Sequence, residues 1–289
     1  MLYNSGKIKM KKYFVIIIST VILFAFGGCQ KFAGEPITKD FSISNDYTSL
    51  EVEDAFDVIV SDLATQVTIT AGENVMPNVV VETVDNTLKI YIKGWHTSYG
   101  TDMKVTLPYN ANLKSVDLSG ASSFQSVYGL KGSKVKVDLS GSSDFDGNID
   151  ADEVVIDLSG SSNFNGNILA DKIDMELSGS SDINGLVDAT NLEIDLGGAS
   201  DATLEGEVGT LIVELSGASN IVKKVVGDRY ALVCDLCEGS ISGASNAYIH
   251  CDGTIKVSLS GASKLHFTGN AFTGDSSTSG SSHIYHDVL

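Results

Sequence analysis

A short motif returns along most of the chain after residue 117, and its spacing limits the possible folds more than any other feature of the sequence. In most copies it reads Leu-Ser-Gly-Ala/Ser-Ser. Its glycines are Gly120, Gly141, Gly160, Gly179, Gly198, Gly217, Gly243, Gly261 and Gly280, at intervals of 21, 19, 19, 19, 19, 26, 18 and 19 residues. Helical repeats with this composition are longer, so the period predicts a solenoid built from β-strands.

Apolar and polar residues alternate before each of these glycines. In one copy the apolar positions are Val135, Val137 and Leu139, with lysine and aspartate between them. A period of two is typical of a strand with one buried face. The position four residues after the glycine is also apolar, and three successive copies have phenylalanine there: Phe124, Phe145 and Phe164. We expect two inward stacks, with equivalent residues about 4.8 Å apart.

Each glycine is expected to mark a corner of the backbone, because glycine adopts angles that other residues avoid. The next residue is Ala or Ser in all nine copies, and we expect it to lie inside a crowded bend. The residue after that is always serine: Ser122, Ser143, Ser162, Ser181, Ser200, Ser219, Ser245, Ser263 and Ser282.

The pattern predicts an all-β protein, a single-stranded parallel β-helix (solenoid) with about 19 residues per coil. Residues 113–289 form the regular coils. Residues 45–112 contain strand-like runs such as 56–60 and 88–92 without the Ser-Gly motif. We interpret them as less regular coils at the N-terminal end of one domain spanning 45–289. A separate small sandwich is the alternative for this region.

These segments together resemble a known family. The runs Phe-Asp-Val-Ile-Val at 56–60, Val-Thr-Ile-Thr-Ala-Gly-Glu at 67–73 and Leu-Lys-Ile-Tyr-Ile at 88–92 precede the Ser-Gly repeats that follow Leu118. In this order they are similar to the "putative auto-transporter adhesin, head GIN domain" family of secreted bacterial proteins, over about residues 45–270. The resemblance implies a parallel β-helix at the cell envelope, and it supplies no catalytic motif.

The first 28 residues have the pattern of a secretion signal. Four lysines between Lys7 and Lys12 precede an apolar run over 13–26, which ends at two glycines before Cys29. The run has about 14 residues, fewer than the roughly 20 that a spanning helix needs. We interpret residues 1–28 as a lipoprotein signal peptide, Cys29 as the site of lipid attachment and 29–44 as a flexible tether. A plain signal peptide is the alternative.

The charge of the chain limits its partners. Removal of residues 1–28 deletes four lysines and no acid, which takes the net charge from −18 to −22. Such a surface is repelled by anionic headgroups, so we expect membrane attachment through the lipid anchor only, at the outer membrane. Nucleic acid is excluded as a partner, because phosphate binding needs a clustered basic face and the chain has one arginine.

Two polar columns are candidate ligand sites. One lies three residues before the glycines: Asp117, Asp138, Asp157, Glu176, Asp195 and Glu214. The other lies three residues after them: Asp144, Asn163, Asp182, Asp201, Asn220 and Asn246. Stacked carboxylates and amides could bind Ca²⁺, which takes six to eight oxygen ligands. The alternative is an outward, solvated ladder without a cofactor, because charges at this spacing repel only weakly in water.

The 26-residue interval is the one clear break in the period, and it contains Lys223, Lys224, Arg229 and Tyr230. Extra residues in a solenoid form a loop on one face, often the binding face. These four residues are therefore a candidate binding loop, with a tolerated surface insertion as the alternative.

Three cysteines follow Cys29. Cys234 and Cys251 lie nine and ten residues before their glycines, which predicts that they are neighbours on adjacent coils. An oxidising compartment favours a disulfide between them. Cys237 has the inward register and is expected to be a buried thiol, and a Cys237–Cys251 pair is the alternative.

These features favour a non-enzymatic envelope lipoprotein, an adhesin or assembly module that presents a rigid acidic surface to an envelope protein or a glycan. The competing hypothesis is a carbohydrate-active enzyme, a polysaccharide lyase or hydrolase that uses the aspartate columns. Against it, each acid has nearly equivalent neighbours on the next coil, whereas acid–base catalysis needs carboxyl groups in different environments.

Overall fold

The computed structural model describes residues 33–94 and 102–289 of the chain, so the predicted signal peptide and Cys29 lie outside the described residues. The chain winds into a β-solenoid of about nine turns with about 19 residues per turn, which confirms the predicted all-β parallel fold. No helix in the described ranges is long and apolar enough to cross a membrane.

The N-terminal part consists of short strands and one 3-10 turn, Met76–Asn78. The strands are β1 (Pro36–Phe41), β2 (Ser49–Val52), β3 (Phe56–Ser61), β4 (Val67–Gly72), β5 (Val79–Val84), β6 (Thr87–Ile92), β7 (Met103–Pro108) and β8 (Ser115–Leu118).

The regular part begins at Ser123. Its strands are β9 (Ser123–Leu139), β10 (Asp144–Leu158), β11 (Asn163–Asn165), β12 (Ile168–Leu177), β13 (Asp182–Leu196), β14 (Asp201–Leu215), β15 (Asn220–Ile221), β16 (Val225–Val226), β17 (Arg229–Tyr230), β18 (Leu232–Ile241), β19 (Asn246–Leu259), β20 (Lys264–Thr268), β21 (Ser277–Thr278) and β22 (His283–His286). Successive coils pair in parallel and in register, so that Phe145 lies opposite Phe164 and Leu158 opposite Leu177.

The N-terminal strands continue the same sheet, but not in chain order. Strand β2 pairs with both β6 and β8, and β3 pairs with both β7 and β9. Residues 49–61 therefore form the coil next to the regular part, and 87–108 form the coil beyond it. Antiparallel strands end the stack, because β5 pairs with β6, β4 with β7 and β1 with β4. The region is not a separate sandwich.

The predicted tether over 29–44 needs a correction. Pro36–Phe41 is an edge strand that pairs along its whole length with β4, from Pro36 opposite Gly72 to Phe41 opposite Val67. Backbone hydrogen bonds fix this segment even though its side chains are mostly exposed.

The repeated glycines, which we call corner glycines, all have left-handed backbone angles, with φ between 70° and 77°. At Gly160 an added Cβ would lie 2.4 Å from the carbonyl oxygen of Gly141 on the preceding coil. That oxygen accepts a 2.7 Å hydrogen bond from the N–H of Ser161. Glycine is required both by the angle and by this close approach of two backbones. Each coil is named below after its corner glycine.

The residues after the corner glycine differ from one expectation. The Ala or Ser that comes first is exposed in all nine coils, so the prediction of a crowded inner bend at this position is wrong. The serine that follows is the buried residue, and all nine are 0–6% exposed. The hydroxyl of Ser162 donates to the carbonyl of Ser159 at 2.9 Å, and most coils repeat this bond. The buried hydroxyl thereby closes its own corner.

The interior is filled by apolar stacks. Phe124, Phe145 and Phe164 are buried, with ring centroids 5.2 and 5.0 Å apart along the stack. Where the Gly198 coil has the smaller Ala202, the inward position two residues later is Leu204, whose register partner is Gly185. A large and a small side chain thus exchange positions between coils, which keeps the interior filled.

Candidate functional site

In most coils the first strand segment presents two polar columns to solvent, three and five residues after the corner glycine. Between the Gly141 and Gly198 coils these are Asp144, Asp146, Asn163, Asn165, Asp182, Asn184, Asp201 and Thr203, which we call the amide-carboxylate face. The amide of Asn163 donates to Asp144 at 2.7 Å, and that of Asn220 donates to Asp201 at 2.7 Å. These bonds fix the outward side chains in one repeated orientation.

The second segment carries the predicted acid column. Asp117, Asp138 and Asp157 are register partners, and the column continues in register through Glu176, Asp195 and Glu214. The alignment of the acids is as expected. In the described part of the chain, however, no group of three or more His, Cys, Asp or Glu side chains is placed to hold one metal ion. Calcium binding by the two columns, with their asparagine amides, stays a prediction.

The acids at one end of this column differ in environment. Asp138 forms an ion pair with Lys136, with 3.1 Å between Oδ2 and Nζ. Partial burial, together with the charge of Asp138, raises the pKa of both flanking acids, Asp117 and Asp157, above the ordinary range. One ion-paired carboxylate thus lies between two whose charged form is less favoured.

The 26-residue interval forms a short hairpin in which β16 and β17 pair antiparallel. Most of the candidate binding loop is used for internal contacts. Lys224 forms an ion pair with Glu205, and Arg229 lies 3.5 Å from Glu207. Tyr230 is fully buried. Burial and a hydrogen bond to Asp287 raise the pKa of its phenol. Of the four predicted residues, Lys223 is the one left exposed without an ion pair among the described residues.

The cysteines lie as the spacing predicts. Cys234 and Cys251 are Cα partners on adjacent parallel strands, whereas Cys237 faces Ile255. All three are buried and present as thiols. Contact with Cys237 raises the pKa of Cys234, and contact with Cys234 raises that of Cys251. The Cys234–Cys251 disulfide stays a prediction, and the register does not favour the Cys237–Cys251 alternative.

Sequence reasoning missed half of the amide-carboxylate face. The missed column lies five residues after the glycine and includes Asp146, Asn165 and Asn184. It repeats every 19 residues like the other columns, so the period alone could have identified it. The burial of Tyr230 had no such signal, because its partner Asp287 lies 57 residues away.

The sequence profile described as "Putative auto-transporter adhesin, head GIN domain" matches residues 46–185 and 163–271. No match was found among curated protein sequences.

Solved structures share the fold. A "putative lipid binding protein" from Parabacteroides distasonis is 22% identical with a TM-score of 0.61, and the alignment covers 87% of this chain and 96% of that one. A "putative adhesin" from the same organism is 19% identical with a TM-score of 0.53, covering 89% and 96%. One from Parabacteroides merdae is 20% identical with a TM-score of 0.53, covering 87% and 95%.

The matched profile spans most of the solenoid, from the irregular N-terminal coils to the Gly261 coil. The chain therefore belongs to the "putative auto-transporter adhesin, head GIN domain" family.

Proposed function

We propose that the protein is a non-enzymatic binding module of the bacterial cell envelope, and that the amide-carboxylate face contacts an extended glycan. The observation that carries this proposal is the in-register ladder of outward amide and carboxylate groups on successive coils. Amide and carboxylate groups together donate and accept hydrogen bonds, as sugar hydroxyls require. A rigid ladder suits a polymer because many weak contacts act together.

The lining of the face supports binding rather than turnover. In the column three residues after the glycine, the amide of Asn163 separates Asp144 from Asp182 and is already hydrogen bonded to Asp144 at 2.7 Å. The inward residues beneath, such as Phe145 and Phe164, are fully buried, so the face rests on a packed interior. Such a surface is preorganised, which lowers the entropy cost of binding.

The test is a glycan array probed with the purified chain and two triple variants. We expect wild type to bind, and Asp146→Ala/Asn165→Ala/Asn184→Ala to lose that binding. The matched control, Lys172→Ala/Asn191→Ala/Thr210→Ala, changes one column of the other strand segment over the same number of coils. It should bind like wild type. Equal binding by both variants, or equal loss in both, would contradict the proposal.

A second candidate function rests on the acid column. Asp138, held by Lys136, lies next to Asp117 and Asp157, whose raised pKa favours the protonated form. Glycosidases use two carboxyl groups in unlike environments, one as the acid and the other as base or nucleophile. Release of reducing ends from any bound glycan, abolished by Asp157→Asn and retained by Asp195→Asn, would favour the enzyme and remove the first proposal.

The cellular location is part of the proposal. The basic, apolar and small-residue order before Cys29 supports lipidation at that cysteine and anchoring at the outer membrane. Mass spectrometry of the mature protein should find an acylated N-terminal cysteine, and Cys29→Ser should release the protein from membranes. A mature protein that begins elsewhere would contradict this assignment, and protease treatment of intact cells distinguishes surface from periplasmic exposure.

A further inference from the structure

The chemistry of the outward columns changes towards the Gly280 coil. Between the Gly141 and Gly198 coils, the positions three and five residues after the glycine include four aspartates. From the Gly217 coil onwards the same positions contain no carboxylate. They are Asn220, Val222, Asn246, Tyr248, Lys264, His266, His283 and Tyr285. In a chain with 37 acidic and 19 basic residues, this is a marked local change of charge.

Six of these side chains form one regular array, which we call the C-terminal patch. It has two columns of three register partners, Asn246, Lys264 and His283 in one and Tyr248, His266 and Tyr285 in the other. The second column is a ring stack with centroid distances of 4.7 and 4.6 Å and interplanar angles of 13° and 18°. Tyr285 is exposed and Tyr248 and His266 are half-buried, so the column reaches the protein surface.

Lys223 adds a second exposed ammonium group to the patch. Its Nζ lies 5.8 Å from the ring centroid of Tyr230 and 5.9 Å from that of Tyr248. Within the described ranges, neither Lys223 nor Lys264 has a carboxylate at ion-pair distance. Lysines elsewhere do, for example Lys131 with Asp150 at 3.0 Å and Lys134 with Glu153 at 2.8 Å.

The acid closest to the patch is already engaged. Asp287 accepts a 2.9 Å hydrogen bond from Nδ1 of His266 and another from the hydroxyl of Tyr230. Although burial opposes it, these bonds and the charge of nearby Lys223 hold the pKa of Asp287 below its ordinary value. The carboxylate therefore serves to fix the ring stack and the hairpin, while the two ammonium groups stay open to an anionic ligand.

We infer that the C-terminal patch, with Lys223, binds the acidic groups of a polysaccharide that carries carboxylates or sulfates. The ammonium groups of Lys223 and Lys264 would bond the anionic groups, and the amide, phenol and imidazole groups would bond hydroxyls. The inference rests on the proposed glycan-binding function and names a ligand class and a second surface for it.

The patch does not suit the other anionic partners. A bilayer surface contributes only about 1 kcal/mol per basic residue, and the rest of this acidic chain would be repelled by it. The Tyr248 and Tyr285 rings cover both faces of the His266 ring, so the column uses its ring faces for internal stacking rather than as separate platforms for neutral sugars or bases. Two unpaired ammonium groups among hydroxyl-binding side chains match a sugar acid best.

The test measures binding of the purified full chain to polygalacturonate and chondroitin sulfate, with dextran as the neutral polymer and phosphatidylglycerol vesicles as the lipid surface. We expect Lys223→Gln/Lys264→Gln to bind both acidic polymers about tenfold more weakly, as loss of two charge-assisted bonds implies. The matched control Lys131→Gln/Lys134→Gln has the same change of charge and should bind like wild type. Binding should also weaken with added salt.

Any of the following binding results would overturn the inference. If both double variants lose affinity equally, the effect is one of overall charge. If only the vesicles bind, the surface recognises lipid. If wild type binds neutral glycans through the amide-carboxylate face but no acidic polymer, this inference fails while the proposed function stands, whereas absence of binding to every glycan removes both. Thermal melting of each variant verifies folding, which these exposed lysines should not affect.

Discussion

Removal of one ring from the phenylalanine stack tests the coil architecture most directly. Phe145 is fully buried between Phe124 and Phe164, with interplanar angles of 16° and 5° and centroid distances of 5.2 and 5.0 Å. Both neighbours are held in register by parallel strand pairing, so they cannot move together into the space. We therefore expect Phe145→Ala to lower the free energy of unfolding by about 3–5 kcal/mol.

A second substitution makes this prediction specific to packing. An added Cβ at Gly147 would lie 3.3 Å from Cε1 of Phe145 and 3.3 Å from the carbonyl oxygen of Ser126. Gly147→Ala should therefore destabilise wild type, and part of that cost should vanish in Phe145→Ala, where the ring is absent. The Gly198 coil already combines the small Ala202 with Leu204 in this way. We expect a favourable coupling of about 0.5–1 kcal/mol between the two substitutions.

Urea denaturation gives the stabilities, and amide hydrogen exchange shows where the damage lies. Since each coil contacts mainly its neighbours, protection in Phe145→Ala should fall first around the Gly141 and Gly160 coils. Coils beyond Gly217 should stay protected longer. Unchanged stability, or an equal loss of protection along the whole solenoid, would refute this account of the interior.

Four further predictions follow from matched positions. Gly160→Ala should cost about 3 kcal/mol or more, whereas Gly227→Ala, with φ of 66° and no atom within 4 Å of the added Cβ, should cost about 1 kcal/mol; equal costs in thermal denaturation would contradict the close backbone approach. Ser162→Ala should cost about 1 kcal/mol through its bond to Ser159, whereas Ser200→Ala should be neutral or stabilising, because the Ser200 hydroxyl has no partner in the described structure. The raised pKa of Asp117 means that the folded protein disfavours its charged form. Asp117 therefore costs no stability at low pH, where it is protonated, and lowers stability as the pH rises and it ionises. Asp117→Asn should therefore stabilise by up to about 0.5 kcal/mol at pH 7 and by nothing below about pH 4; a constant difference across pH would contradict this. Under oxidising conditions, peptide mapping should find Cys234 linked to Cys251 and Cys237 free for alkylation after denaturation; a Cys237 linkage would contradict the register argument.

The sequence predicted the regular coils because each position in the period repeats its chemistry. Corner glycines, inward phenylalanines and the outward acid column were all identified from spacing alone. The period shows which residues are equivalent, but it does not show which way each one points at a corner. For that reason the Ala or Ser after the glycine was assigned to the inside, although the left-handed glycine directs it outward and buries the following serine, such as Ser162.

Features that depend on contacts between distant segments could not be predicted in this way. The order of the N-terminal coils reverses because β2 inserts between β6 and β8, and nothing in these short strands encodes that order locally. The hairpin of the 26-residue interval is fixed by the Tyr230–Asp287 bond across several coils. The unlike environments of Asp117 and Asp138 depend on Lys136 and on burial, which the repeat pattern does not contain.

The amides of the amide-carboxylate face reduce the repulsion between its carboxylates. In the column three residues after the glycine, Asn163 separates Asp144 from Asp182, and Asp182 and Asp201 are the direct acidic neighbours. Asp182 is also the member whose pKa is raised, by burial and by the charge of Asp201. Where an amide intervenes, it keeps the two acids apart and donates a hydrogen bond to one carboxylate, as Asn163 does to Asp144 at 2.7 Å. An extended ligand would therefore meet charges and amides already held in place, and this preorganisation is what a rigid solenoid contributes to binding.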